Sequence, residues 1–235
     1  MAQAPTAFPP VMPHGELEPV FDDVWMVTGT FRMGPGMRIP RNMAVVREGE
    51  RLVLVNSVRL SADGEAALAK LGKVTDVVRL SAGHGADDPY LQERYGATMW
   101  APRGLTRPGV TYQELREDAS PLADGAPIVF THGNAPDASI VLARDGGVLI
   151  SCDAYQHWTR FDQGTVLAGW VTRLMGFGPA TIGGPWARRM GPGVYADFER
   201  LCQRRFVHLI PGHGTVLRDR ARDELPGAMR RRFKR

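Results

Sequence analysis

Cysteine is scarce. The 235-residue chain has two, Cys152 and Cys202, and neither sits in a C-x-x-C pair. A disulfide framework is therefore excluded. Long apolar runs are missing as well: no stretch approaches the roughly 18 residues that a membrane-spanning helix needs. The opening residues, MAQAPTAFPPVMPHGE, lack a basic region followed by an apolar one, so no secretory signal is expected and the cytoplasm is the expected compartment. Three catalytic signatures are absent. There is no G-x-S-x-G nucleophile elbow and no G-x-x-x-x-G-K-[ST] phosphate loop. Gly34-Pro35-Gly36 precedes no helical pattern, which removes a dinucleotide fingerprint.

What the chain does have is an ordinary globular composition. Apolar residues make up 43% and charged residues 23%, which disfavours a long disordered chain. Glycine (27) and proline (18) are abundant, so turns are many and an all-helical bundle is disfavoured. The net charge is +4, but the last six residues alone hold five cations, so the body is close to neutral. That end reads as a solvated basic tail, the alternative being a tail that docks on anionic lipid, RNA or a partner. No clear nucleic-acid site is expected, and the oligomeric state is left open.

The pattern predicts a loose arm over 1–20, a single domain over 21–229 and the basic tail over 230–235. Strands are expected at Asp23–Thr28, Asn42–Arg47 and Arg51–Asn56, with a tight turn at Glu48-Gly49-Glu50 and a loop over Phe31–Pro40. Ser61 is placed to cap a helix carrying Ala66, Leu68 and Leu71. Strand Val74–Leu80 follows, then a short helix near Pro89–Tyr95 and a strand at Ala97–Ala101. Further strands are expected at Ile128–Thr131, Ser139–Ala143, Gly147–Cys152 and Val207–Ile210, and helices at Val166–Phe177, Val194–Phe206 and the charged C-terminal end. Hairpins interspersed with helices suggest two mixed sheets packed together with helices outside.

Three strands each end in a short loop bearing a metal-competent side chain. Val74–Leu80 runs into His84, Asp87 and Asp88; Gly147–Cys152 into Asp153; Val207–Ile210 into His213. Imidazole and carboxylate together suit Zn(II), Fe(II) or Mn(II). Cys152 ends an apolar strand beside a carboxylate and reads as buried rather than nucleophilic. His157 and Trp158 are placed to line a pocket, and the segment 169–186 to cover it. Core packing is favoured over substrate contact for Trp170, Phe177 and Trp186. Arg38 and Arg41 suit an anionic substrate or surface ion pairs equally.

In these residues the chain resembles the metallo-β-lactamase superfamily, over about Val24 to Arg218. There, one strand ends in an H-x-H-x-D-H loop, a later one in a bridging aspartate within a GDA-like segment, and a near-final one in PGHG. Ser151-Cys152-Asp153-Ala154 matches the second feature and Pro211-Gly212-His213-Gly214 the third. Together with Arg41–Val46, Leu71–Val78 and Gln156-His157-Trp158, the single His84 marks a divergent branch with a degenerate metal motif. The first loop reads Ala82-Gly83-His84-Gly85-Ala86-Asp87-Asp88. If His84 is the second histidine of the pattern, Asp87 replaces its last; if His84 is the first, Asp88 falls on the aspartate. A further family histidine, from a TPGHT-like segment, aligns with Ala135, leaving His132 three residues early.

The resemblance implies a four-layer αββα sandwich of two mixed sheets with outer helices. It implies one divalent ion (Zn, Fe or Mn) held by His84, Asp88 or Asp87, Asp153 and His213, with Asp153 and Asp88 as catalytic carboxylates. The implied activity is hydrolysis of an ester, thioester, lactone or phosphoester in a small-molecule substrate. A fold relative that binds a ligand or partner without turnover is the alternative, and an iron-dependent oxidoreductase the third reading.

Overall fold

Alternation of apolar side chains along the strands sets the layers of this protein, whose computed structural model describes residues 8–234. The first half gives β1 (Glu18–Phe21), β2 (Val24–Gly34), β3 (Met37–Glu48), β4 (Arg51–Val55), α1 (Ala62–Leu71), β5 (Lys73–Val78), α2 (Asp88–Tyr95), β6 (Thr98–Ala101) and β7 (Tyr112–Glu114). These seven strands form one sheet in chain order, antiparallel from β1 to β4 and parallel from β4 to β7. The second half gives β8 (Gly125–Val129), β9 (Ala138–Leu142), β10 (Val148–Ile150), β11 (Tyr155–Gln156), α3 (Val166–Leu174), β12 (Thr181–Ile182), α4 (Gly184–Met190), α5 (Val194–Cys202), β13 (His208–Ile210) and α6 (Ala221–Phe233). Its main sheet has the order β13-β10-β9-β8, with β10 and β13 parallel, and β11 and β12 form a small ribbon.

On β4, Val53 and Val55 face the second sheet while Leu52 and Leu54 face outward. On β9, Ile140 and Leu142 face the first sheet while Val141 faces outward. The inward sets meet as a core between the sheets. The outward set of the first sheet packs on Leu68 of α1 and Leu91 of α2. That of the second packs on Trp186 and Met190 of α4, Phe198 and Leu201 of α5, and Leu225 of α6. Three cores between four layers make the αββα sandwich expected from the sequence. Each buried aliphatic side chain stabilises it by about 1.5–3 kcal/mol.

Three expectations change. The segment Phe31–Pro40 is not a loop: β2 and β3 pair as a long hairpin through Arg32 opposite Arg38 and, past a register shift, to Gly34 opposite Met37, with a tight turn at its tip. The arm is not loose where it is described, for the Gly15 N–H bonds Thr28 O at 2.8 Å and Thr30 Oγ1 donates to Pro13 O at 2.8 Å. The basic end is helical to Phe233, and Arg231 and Arg232 donate to the carbonyls of Ala180 and Ile182 at 2.8 and 2.9 Å. Residues 1–7 of the arm and Arg235 of the tail lie outside the described residues. Among the described residues no helix is long and apolar enough to cross a membrane.

Candidate metal centre

The β5, β10 and β13 ends open on the same edge of the sandwich. There the loop after β5 supplies His84, the residue after Cys152 supplies Asp153, and the Pro211–Gly214 turn supplies His213. His84 Nε2 lies 3.2 Å from His213 Nε2, His213 Nε2 lies 3.1 Å from Asp153 Oδ1, and His84 Nε2 lies 3.5 Å from the same oxygen. A tetrahedral ion with bonds of about 2.0–2.1 Å has edges of about 3.3–3.4 Å between its ligand atoms. The observed triangle fits one face of that tetrahedron. Among the described residues these three are the group of His, Cys, Asp and Glu side chains close enough to share an ion.

The surroundings put the donors in ligand form. His213 Nδ1 donates to Pro40 O at 2.7 Å, which leaves a lone pair on Nε2. His84 is buried, and burial lowers its pKa against the opposing pull of Asp153, which favours the neutral, ligating form of the ring. Burial works to raise Asp153, but bonds and charge from His213 and His84 outweigh it and hold the carboxyl well below its usual range. Its second oxygen, Oδ2, takes a 3.3 Å bond from Ser81 Oγ and faces the Arg189 guanidinium at 3.8 Å. His84 Nδ1 is buried without a hydrogen-bond partner, so nothing around it prevents Nε2 from acting as a donor to an ion.

Backbone clamps hold the loops. Asn42 of β3 donates through Nδ2 to Pro211 O (2.9 Å) and Gly214 O (2.8 Å), and its own N–H meets Gly212 O at 2.8 Å. Gly214 has φ +93°, and a Cβ there would lie 2.1 Å from His157 O, so only glycine fits. A Cβ on Gly83 would lie 2.8 Å from Asp153 Oδ2, so that glycine lets the first loop close on the carboxylate.

The two carboxylates after His84 are directed elsewhere. Asp88 is buried, accepts from Ser57 Oγ, and accepts from Tyr112 Oη at 2.6 Å. Asp87 is buried in an ion pair with Arg41 and accepts the Arg59 N–H at 2.9 Å. Arg41 is thus an internal strut. His132 bonds Asp197 Oδ1 at 3.0 Å and is not one of the three donors. Cys152 is fully buried, and burial first, then Asp153, pushes its thiol up, which keeps it neutral.

A cavity of about 170 Å³ opens beside Asp153 and His213. Its walls include Phe31, Met33, Ile39, Trp158, Met175 and Phe177, and Arg189 contributes a guanidinium. Trp158 stacks on the His213 ring at 5.8 Å and 7°. His157 instead points inward and accepts the Ala180 N–H at 3.1 Å. Of the expected core aromatics, Trp186 is buried and donates to Asp137 at 2.8 Å, whereas Trp170 is 65% exposed. Phe31, Met33 and Pro40 were not flagged by the sequence because the hairpin that carries them reads as a loop, and Asn42 reads only as the start of a strand.

This architecture is the metallo-β-lactamase fold. Among solved structures, the FIM-1 metallo-β-lactamase from Pseudomonas aeruginosa in its mono-zinc form matches with a TM-score of 0.65 at 15% identity, covering 96% of this chain and 98% of its own. A metallo-β-lactamase from Erythrobacter litoralis with β-mercaptoethanol in its active site matches at 0.63 and 13%, covering 92% and 96%. A flavo di-iron protein variant from Thermotoga maritima matches at 0.63 and 14%, covering 93% of this chain but 62% of its own. No family model and no curated protein matches the sequence.

Proposed function

We propose that the protein is a metal-dependent hydrolase with a single divalent ion held by His84 Nε2, Asp153 Oδ1 and His213 Nε2. The observation that carries this reading is the donor triangle with edges of 3.1, 3.2 and 3.5 Å. Three protein donors and one open position are the pattern of a catalytic rather than a structural site. The mono-zinc form of FIM-1 supports the one-ion reading within this fold. When bound, the ion supplies Lewis acidity and makes water acidic enough to attack at neutral pH.

This chain's own groups do the rest. Asp153 Oδ2, the oxygen not assigned to the ion, accepts a proton from the attacking water and orients it. Ser81 and Arg189 hold that oxygen in place. The apolar walls exclude bulk water and take the uncharged part of an ester, thioester, lactone or phosphoester. Asp88 is assigned to holding the His84 loop, not to ligation. The two unpaired cysteines suit the cytoplasm.

The alternative, a binding protein without turnover, draws on the same loop, whose carboxylates serve structure. Metal analysis of protein purified without chelator decides the first point: about one equivalent of Zn, Fe or Mn is expected. His213→Ala should lose it. Protein that holds essentially none, even after loading with each ion, is incompatible with the proposal. A panel of ester, lactone and phosphodiester substrates decides the second. Turnover should fall by about 10²-fold or more in Asp153→Asn. A loaded site that turns over nothing points to the binding reading.

A further inference from the structure

Six of the seven large apolar side chains exposed among the described residues lie in one patch: Met33, Val166, Leu167, Trp170, Leu174 and Met175, between 44% and 85% exposed. Four of them belong to α3. At 100° per residue, Val166, Leu167, Trp170 and Leu174 fall within an arc of about 100°, while Ala168 and Thr172 face the protein. The helix therefore has a complete apolar stripe on its outer side. Among the described residues nothing covers it.

The stripe continues onto the tip of the β2–β3 hairpin. Thr165 ties the two together: its N–H bonds Arg38 O at 3.1 Å, and its hydroxyl bonds Gly36 O at 2.9 Å. Met33 and Met175 belong both to this patch and to the wall of the cavity beside Asp153. The patch thus borders the cavity of the candidate site through Met33 and Met175.

Charge narrows the occupant. The segments 24–47 and 164–196 contain no Asp or Glu at all, but carry Arg32, Arg38, Arg41, Arg47, Arg173, Arg188 and Arg189. Arg41 and Arg47 are paired with Asp87 and Asp23, and Arg189 faces Asp153 at 3.8 Å; Arg32, Arg173 and Arg188 remain exposed on these segments. A second copy docked across a two-fold axis would set these cations against themselves, with no carboxylate from either segment between them. An outward apolar stripe with a tryptophan, flanked by arginines, suits a lipid–water interface with negative headgroups. We propose that this face docks on a phospholipid bilayer containing anionic lipid, with the cavity entrance turned towards the membrane. The inference is independent of whether the metal centre turns anything over.

Co-sedimentation of the full chain tests it, with vesicles of phosphatidylcholine alone and of phosphatidylcholine mixed with phosphatidylglycerol. Association is expected with the mixed vesicles, weaker with the neutral ones, and reduced by salt. Leu167→Ser with Leu174→Ser should weaken it by about tenfold or more. Arg173→Glu should lower binding to the mixed vesicles selectively. Both variants change exposed positions, so their unfolding temperatures should match the parent and show that folding is intact. Three results would overturn the proposal: no association with either vesicle, equal association with both, or an analytical-centrifugation dimer that the serine variant dissociates. The last would assign the face to a second copy.

Discussion

Asp137 is fully buried; one oxygen accepts Trp186 Nε1–H at 2.8 Å and the other has no partner. Burial, helped by the nearby Asp153 charge, pushes its pKa up to about 8 from 3.8, against the Trp186 bond. The folded chain therefore holds a proton that the unfolded chain has released between those values. Stability falls as pH rises through that window, by up to about 1.4 kcal/mol per unit, and levels off above it. Asp137→Asn removes the titrating group while keeping an oxygen for Trp186. The variant should gain stability over the parent at pH near 8 and lose that gain towards pH 4, read by thermal unfolding across the range. His84 works in the opposite sense, since its lowered value costs stability as pH falls through 6.5. At this scale the sequence revealed His84, Asp153 and His213, because a donor just after a strand is a local pattern. It did not reveal what Asp87 and Asp88 do. An aspartate in a loop reads the same whether it faces an ion, as in the resemblance, or the Ser57 and Tyr112 hydroxyls, as in the structure.

Single elements position the site, and β3 does most of it. It supplies Pro40 to orient His213, Arg41 to hold Asp87, and Asn42 to clamp the Pro211–Gly214 turn. Asn42→Ala would leave two buried carbonyls without a donor, a cost of about 1–3 kcal/mol for each. It should lower the unfolding free energy measured in urea and weaken metal affinity by about tenfold or more, the range for lost outer support of ligands. Both effects are expected although Asn42 touches no ion. The central strand Asn42–Arg47 was legible from its apolar alternation, but its extension to Met37 was hidden by Gly34, Pro35 and Gly36. Those residues mark a turn correctly and say nothing about how far pairing runs on either side. Trp170 failed for the complementary reason: apolar spacing identifies a helical stripe but not whether anything packs on it.

At the scale of the molecule, the two-sheet sandwich was legible because strands and helices alternate in groups. The convergence of three strand ends on one edge was expected from the joint pattern and the resemblance, not from local signals, since the pairs that close it lie far apart in the chain: Asn42 with Gly214, and His84 with His213. The proposed ion, bound across those loops, would tie both sheets together and stabilise the folded state by mass action. At a free metal concentration a hundred times the dissociation constant, the gain is about 2.7 kcal/mol. For a chain of this size that corresponds to an unfolding temperature about 5–10 °C higher, lost on adding a chelator. His213→Ala should show no chelator-dependent change in a calorimetric scan.

The parallel pairing of β10 with β13 sets an order of events during synthesis. The strand that delivers His213 leaves the ribosome after the first sheet has been made, and it must slot in beside a strand already paired with β9. Capture of the proposed cation therefore waits until β13 has been made. A nascent chain stalled before His208 would carry His84 and Asp153 with no third donor to join them, so, for the proposed centre, premature loading with the wrong ion is disfavoured by the wiring of the polypeptide itself.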